Sequence, residues 1–534
     1  MTDTPDDGRA AGSRPPARSP SSGEETAPGL DASPARLAGA VPAAAGTAPA
    51  EPAGGRLALT AGAATRAAPS SAGDVGAADF PDRDGAGDAA GPRFEAYGPA
   101  AARPVERRGP GAHRAMRRDA ERSGRYTDDI DNMLVVLADP AAARGSSGAR
   151  QRFGLSDGVA PDVARGGRLA RWYVPEAAAA WVAGRVVVAA ALGLVHFLAG
   201  SVADNGGRLD HSGLLGWDAG WYESIASHGY GGAGEESRRF FPLLPLLVRG
   251  LCALPGLAGR QGAVLLVVVN ALAFALTVLL ARLARAEGFP DPAIRRVIWL
   301  SALAPPAFVL AMGYAEAPAM LLAIGAFLAA RSGRFGLATL AGLLSGLCRP
   351  LGLLLVAPMA IEAARGPRSA SPRWWLPRLG AVVAPAAGAA IYVAWSAATY
   401  HDGLAPLTMQ RDAARHGAAG NPLSVLWDAA QGTIHGEVGT GLHVPWLLVA
   451  LVALVLMTRL LPASYSVWCA LVLLTVFTGS NLDSSERYVF GAFPFVLVAA
   501  LALGRRTVWP FALAASATLM TVYATLAFTL AYVP

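Results

Sequence analysis

AAAAWVAGRVVVAAALGLVHFLA, Ala177–Ala199, decides the class of this protein. Apart from Arg185 and His196, every residue in it is apolar or small. A helix needs about 20 predominantly apolar residues to cross the hydrocarbon core of a bilayer. The stretch satisfies that length and reads as the first transmembrane helix. Composition agrees: 53% of the 534 residues are hydrophobic and 16% are charged, where a soluble domain carries roughly a quarter charged.

Upstream the chain changes character. Residues 1–175 are rich in Ala, Gly, Pro, Arg, Asp and Ser and poor in aromatic and β-branched residues. Segments such as Pro42–Gly54 and Gly85–Pro92 bury too little apolar surface to offset chain entropy. The expectation is a disordered cytoplasmic tail. Its one exception is MRRDAERSGRYTDDIDNMLVVLADP, Met116–Pro140. That stretch reads either as a short amphipathic helix on the membrane or a partner, or as a locally hydrophobic patch of disordered chain. The opening MTDTPDDGRA has no basic region and no early apolar core. No cleavable signal peptide is therefore expected, and the first apolar helix acts as its own insertion signal.

Downstream, residues 176–534 form a succession of apolar runs, expected as spans near 177–199, 262–281, 297–313, 316–331, 379–399, 443–461, 464–480, 488–504 and 508–531. The run 335–364 is broken by Arg349-Pro350, because proline removes a backbone donor and disfavours helix at the residue before it. It reads as a kinked helix or as two half-helices. Cytoplasmic loops carry excess arginine and lysine, and this chooses between them. With the tail inside, Arg282, Arg285, Arg295, Arg296, Arg331 and Arg334 fall inside. Arg365, Arg368, Arg373 and Arg378 join them only if 335–364 enters and returns. Glu316, Asp402, Glu437, Asp483 and Glu486 then lie outside. FFPLLPLLVRGLCALPGLAG, residues 240–259, carries prolines and Arg249 and reads as an interfacial helix, not a span. The net charge of +6 reflects this topology. No nucleic-acid motif accompanies it, and nucleic acid is not an expected partner. Cys252, Cys348 and Cys469 have no paired spacing for a disulfide framework or a metal.

The chemistry-bearing stretch is GWDAGWYESIASHGY, Gly216–Tyr230, followed by RRFFPLLPLLVR, Arg238–Arg249. On a helix, Asp218, Trp221 and Tyr222 share a face through i,i+3 and i,i+4 spacing. Aromatic rings offer flat faces to a pyranose, and a carboxylate can take a proton from a hydroxyl. The alternative is an interfacial aromatic belt with one solvated acid. Glu223 lies on a different face, and His228 reads as a solvated loop residue. The loop 400–443 holds His401, Asp402, His416, His435 and His443. No metal motif governs their spacing, and acceptor binding is the most it suggests.

The WDAGWY, IASHGY and FFPLLPLL elements resemble the first outer loop of the PIG-V-type mannosyltransferases, bacterial relatives of GPI mannosyltransferase 2 in the GT-C superfamily. GYAEAPAMLLAIGAF (Gly313–Phe327), LAGLLSGLCRPLGLLL (Leu340–Leu355) and SSERYVFGAFPFVLVAALAL (Ser484–Leu503) resemble further family segments, in the family's order. Ala315, Pro318 and Cys348 depart from it, which puts hydroxyl contacts at 315 and 348 in doubt.

The resemblance implies an all-α, polytopic GT-C fold that transfers mannose from polyprenyl-phosphate mannose to a glycolipid, lipoglycan or other exported glycan at the outer face of the cell membrane. It implies Asp218 as the catalytic base. Arg349 and Arg487, with Arg238 and Arg239 as weaker candidates, would face the donor phosphate. Trp217, Trp221, Tyr222, Glu316 and Tyr488 would line the sugar or acceptor. The other readings are backbone capping for Arg349, snorkelling for Arg487 and, for Glu316, an acid that orients an arginine or one favoured by the helix dipole. The expected partners are membrane lipids, the lipid-linked donor, the acceptor glycan and a cytoplasmic protein held by the tail. No cofactor is expected, the polyprenyl-phosphate sugar being a substrate, although some GT-C relatives use a divalent ion. Another lipid-linked sugar, or transport of one without transfer, are the alternatives.

Overall fold

The structure is a computed structural model that describes residues 150, 155, 172–204, 209, 212–365, 371–409, 420–435, 443–479 and 482–534. The expected tail, with its helix near 116–140, lies outside the described residues apart from Arg150, Leu155 and the stretch from Trp172. Among the described residues every regular element is helical. The principal helices are α1 (Tyr173–Phe197), α2 (Asp218–Gly232), α3 (Leu243–Cys252), α4 (Gln261–Ala286), α5 (Asp291–Leu303), α6 (Glu316–Arg331), α7 (Phe335–Cys348), α8 (Val356–Ala363), α9 (Pro372–Tyr400), α10 (Pro422–Ile434), α11 (Val444–Leu460), α12 (Ala463–Phe477), α13 (Ser485–Gly491), α14 (Pro494–Ala502) and α15 (Val508–Phe528).

Four of these, α1, α4, α9 and α15, are long and apolar enough to cross a membrane, and α13 with α14 makes a fifth if that bent pair is one span. Such a set fits a multi-pass membrane protein. Helix α1 shows the lipid logic in its side chains. Ala177, Ala180, Gly184, Val188, Ala191 and Val195 form its buried stripe, while Val182, Val186 and Phe197 stand 50%, 60% and 83% exposed. A soluble helix would carry polar residues on that outer face.

Two expected spans are broken. The run 297–313 is divided between α5 and a 3-10 turn at Pro305–Leu310, because Pro305-Pro306 cannot continue the α-helical hydrogen bonding. The run 488–504 is bent by 87° between α13 and α14, with Pro494 opening the second half. Hydropathy registers both runs as continuous because proline costs little on that scale. The run 335–364 breaks where expected. After α7, Arg349 is extended, and a 3-10 turn at Pro350–Leu355 leads into α8. The chain doubles back there so closely that a Cβ on Gly352 would lie 2.0 Å from the Ser345 carbonyl oxygen. Segment 240–259 forms the short amphipathic α3, with Leu244, Pro245, Val248 and Cys252 inward and Leu246 and Leu247 outward.

Helices α7 and α9 pack backbone to backbone. A Cβ on Gly346 would meet the Pro385 carbonyl at 2.1 Å, and one on Gly388 the Leu343 carbonyl at 2.1 Å. Small residues at such contacts let helices approach closely where no water is available to drive association. Helix α6 runs between two charged clusters. Glu316 opens it and Arg331 closes it, about 23 Å apart at 1.5 Å per residue. At the Arg331 end, this guanidinium lies 3.4 Å from Glu287 and 3.1 Å from Glu362. Tyr465 donates to Glu287 at 2.8 Å, Ser464 bonds Glu362, and Arg150 donates to the carbonyls of Leu460 and Glu287.

Candidate functional site

At the Glu316 end, three chain breaks bring four charged side chains together. The first break lies before α2. Trp217 adopts φ +57°, a region costly for a bulky residue, and its indole donates to the Ala527 carbonyl of α15 at 3.0 Å. That anchor sets Asp218 in the first turn of α2, where the helix dipole favours an anion. The second break is the extended Arg349 between α7 and the following turn. The third is the bend after α13, which carries Arg487 and Tyr488.

The side chains form a chain of ion pairs. Arg487 donates from Nη1 to Asp218 Oδ2 at 2.7 Å, and its Nε lies 3.3 Å from Glu316 Oε1. Glu316 also pairs with Arg349. Glu316 is 2% exposed and Arg487 6%, so water cannot screen these charges as it does at a surface. Tyr488 lies under both guanidinium groups, at 5.6 Å from Arg349 and 5.5 Å from Arg487, and Tyr314 flanks Arg487 at 5.2 Å. Burial by itself would push the Asp218 carboxyl up. Arg487, Arg239 and Arg349 outweigh that and hold it below the usual carboxylate range. Three guanidinium groups thus act on two carboxylates, and the site has an excess of positive charge.

An open pocket, about 460 Å³ including its mouth, lies against this chain. Glu316, Arg349, Arg487 and Tyr488 form its polar side, and Leu355 and Trp468 belong to its apolar side. Asp218, whose side chain is 26% exposed, is joined to the pocket through Arg487 and is not part of its lining. Trp221 stacks on Phe240 at 5.9 Å, and Arg239 lies over both rings at 5.7 and 4.6 Å. Tyr222 is buried edge-on against Phe240.

The sequence matches no protein-family profile and no curated protein, and the fold matches no solved structure.

The residues singled out in the sequence therefore divide by geometry. Asp218, Glu316, Arg349, Arg487 and Tyr488 converge, and Arg239 and Trp221 stand beside them. Arg238 turns away, with its guanidinium 4.1 Å over Tyr400. Trp217 is engaged with α15. Glu316 bridges two arginines, Arg349 and Arg487, which matches its reading as an acid that orients an arginine. Among the described residues no group of three or more His, Cys, Asp or Glu side chains is placed to hold a metal ion. In the sequence Glu486 stands only as an outer-side acid, and His443 belongs to a loop that suggests acceptor binding at most. These two meet with His443 Nδ1 2.6 Å from Glu486 Oε2. No local pattern joins residues that far apart in the chain.

Proposed function

We propose that this protein is a membrane mannosyltransferase of the GT-C type, using polyprenyl-phosphate mannose and a glycolipid, lipoglycan or other exported glycan as acceptor. The observation that carries the reading is the chain Asp218–Arg487–Glu316–Arg349 beside a pocket that is cationic at one side and apolar at the other. A phosphodiester with a hydrocarbon tail has that same division. Its single negative charge also balances the excess of positive charge.

In this mechanism the acceptor hydroxyl gives its proton to Asp218 as its oxygen attacks C1 of the donor sugar. The C1–O bond to phosphate breaks, and its electron pair leaves with the polyprenyl phosphate. Arg349 and Arg487 meet the charge that accumulates there, in a site already ordered to receive it. Phosphate leaves as an anion, so the second carboxylic acid of a glycosidase is not required. Attack opposite the leaving group inverts the donor configuration. The site end of the bundle faces outward in this reading, and the Arg331 end faces the cytoplasm with the arginine-rich loops.

The test is transfer from radiolabelled polyprenyl-phosphate mannose to endogenous lipid acceptors, in membranes matched for protein. Wild type transfers label, and Asp218→Asn loses about 10²–10⁴-fold, the span of general-base catalysis. Equal transfer by both removes Asp218 from the reaction. Movement of labelled lipid across the bilayer with no new glycosidic bond replaces the transferase by a transporter.

A further inference from the structure

Arg487 is held by α13, a helix of 7 residues, so whatever fixes the first turn of α13 fixes the ion-pair chain. His443 does this. It lies at the start of α11 and is 1% exposed. Its Nδ1 is 2.6 Å from Glu486 Oε2, and its Nε2 is 3.7 Å from Asp483 Oδ1. Glu486 is fully buried, and its Oε1 has no hydrogen-bond partner among the described residues. The imidazole is thus the cation that compensates a buried carboxylate one residue before Arg487. Beside the same turn, Ser484 donates to the Pro534 oxygen at 2.6 Å. Tyr532 lies 5.7 Å from the ring, Tyr523 of α15 packs edge-on behind Tyr532, and the Ser485 hydroxyl reaches Glu486 Oε2 at 3.3 Å.

We propose that His443 is a positioning residue for Arg487: as an imidazolium between Glu486 and Asp483 it fixes the first turn of α13, and with it the Arg487–Asp218 pair. The inference adds regulation to the site described above and rests on the transferase reading only for its binding readout. Burial works against the charged ring, but hydrogen bonding to Asp483 and Glu486 prevails and raises its pKa from the ordinary 6.5 to about 9. A raised pKa means that the clamp's stabilisation is complete below about 6.5, fades as pH rises and is gone above about 9. Lysine is absent from the chain, so no side-chain amine titrates in that window.

The experiment uses the full chain in lipid nanodiscs. Infrared spectra between about pH 7 and pH 10 follow the Asp218 carboxylate stretch, assigned by its loss in Asp218→Asn, across the range in which a raised histidine deprotonates. In wild type the band shifts as pH passes about 9. In His443→Gln it stands at the alkaline position throughout, and in His443→Lys, which keeps the positive charge, it stays at the neutral-pH position through pH 9. Thermal melts confirm that each variant is folded. A wild-type band that does not move, or a His443→Gln band that follows wild type, overturns the proposal.

A second readout is the affinity for farnesyl methyl phosphate, a phosphodiester whose charge does not change over this range. Wild type weakens about tenfold on going alkaline, and His443→Gln is already weak and insensitive to pH. Wild-type affinity that is constant with pH overturns the clamp. A probe that binds wild type at no pH overturns the transferase reading instead, and the infrared result alone then decides on the clamp.

Discussion

Asp218 and Arg487 are each other's nearest opposite charge at 2.7 Å, and the pair sets what the carboxylate does with pH. A carboxyl held below its usual range stabilises the fold above the unfolded value near 3.8 and loses that contribution as pH falls through the folded value. Transfer activity will therefore show no acid limb from Asp218 at mildly acidic pH. In Arg487→Gln the nearest cation is gone while Arg239 and Arg349 remain, and the limb moves upward; a pH–rate profile of both proteins reads the difference. A limb at the same pH in both would mean that Arg487 does not govern Asp218. At this scale the sequence was informative where motifs are short and contiguous: Asp218 in WDAGWY, Arg349 before Pro350 and Arg487 before Tyr488. It was silent on who meets whom. Which arginines Glu316 orients, and the meeting of His443 with Glu486, depend on long-range folding that no local spacing encodes, and Trp217 looked like a sugar platform because its hydrogen bond to Ala527 joins segments far apart.

The elements were legible by hydropathy and illegible at their breaks. Helices α1, α4, α9 and α15 fall where apolar runs predicted spans, since length and apolarity are all that a lipid-facing helix requires. The runs at 297–313 and 488–504 were read as continuous, and both are interrupted at prolines. Arg349-Pro350 was read as a break because proline removes a backbone donor and disfavours helix at the residue before it, and the loop arginines required the chain to return there. The same argument applied to Pro305-Pro306 and Pro494 would have placed the other two breaks. The closest contact between elements makes a test of its own. Gly346 leaves no room between α7 and the Pro385 carbonyl of α9, so Gly346→Val must push the two helices apart. Overpacking of this kind costs about 1–3 kcal/mol, and a lowered melting temperature in detergent is the expected result. Since α7 ends at Arg349, transfer should fall with it. A variant that melts like wild type would show that the pair has slack.

For the whole molecule, the proposed sidedness rests on loop charge. Glu235 lies near the Asp218 end and its side chain is 79% exposed, and Asp291 opens α5 with its side chain 54% exposed. The native cysteines, Cys252, Cys348 and Cys469, are buried, so labelling of an introduced thiol stands out. In intact cells Glu235→Cys will react with an impermeant maleimide, and Asp291→Cys will react only after permeabilisation. The reverse pattern inverts the topology and puts the candidate site in the cytoplasm. The arginine bias that yields this orientation was readable at once, because it is a property of loops and needs no packing. Helix α6 joins the two buried charge clusters, with Glu316 tied to two arginines at one end and Arg331 tied to two glutamates at the other. Bolted at both ends, it is a strut of fixed length. Neither end can slide along the neighbouring helices without tearing a buried charge from its partner.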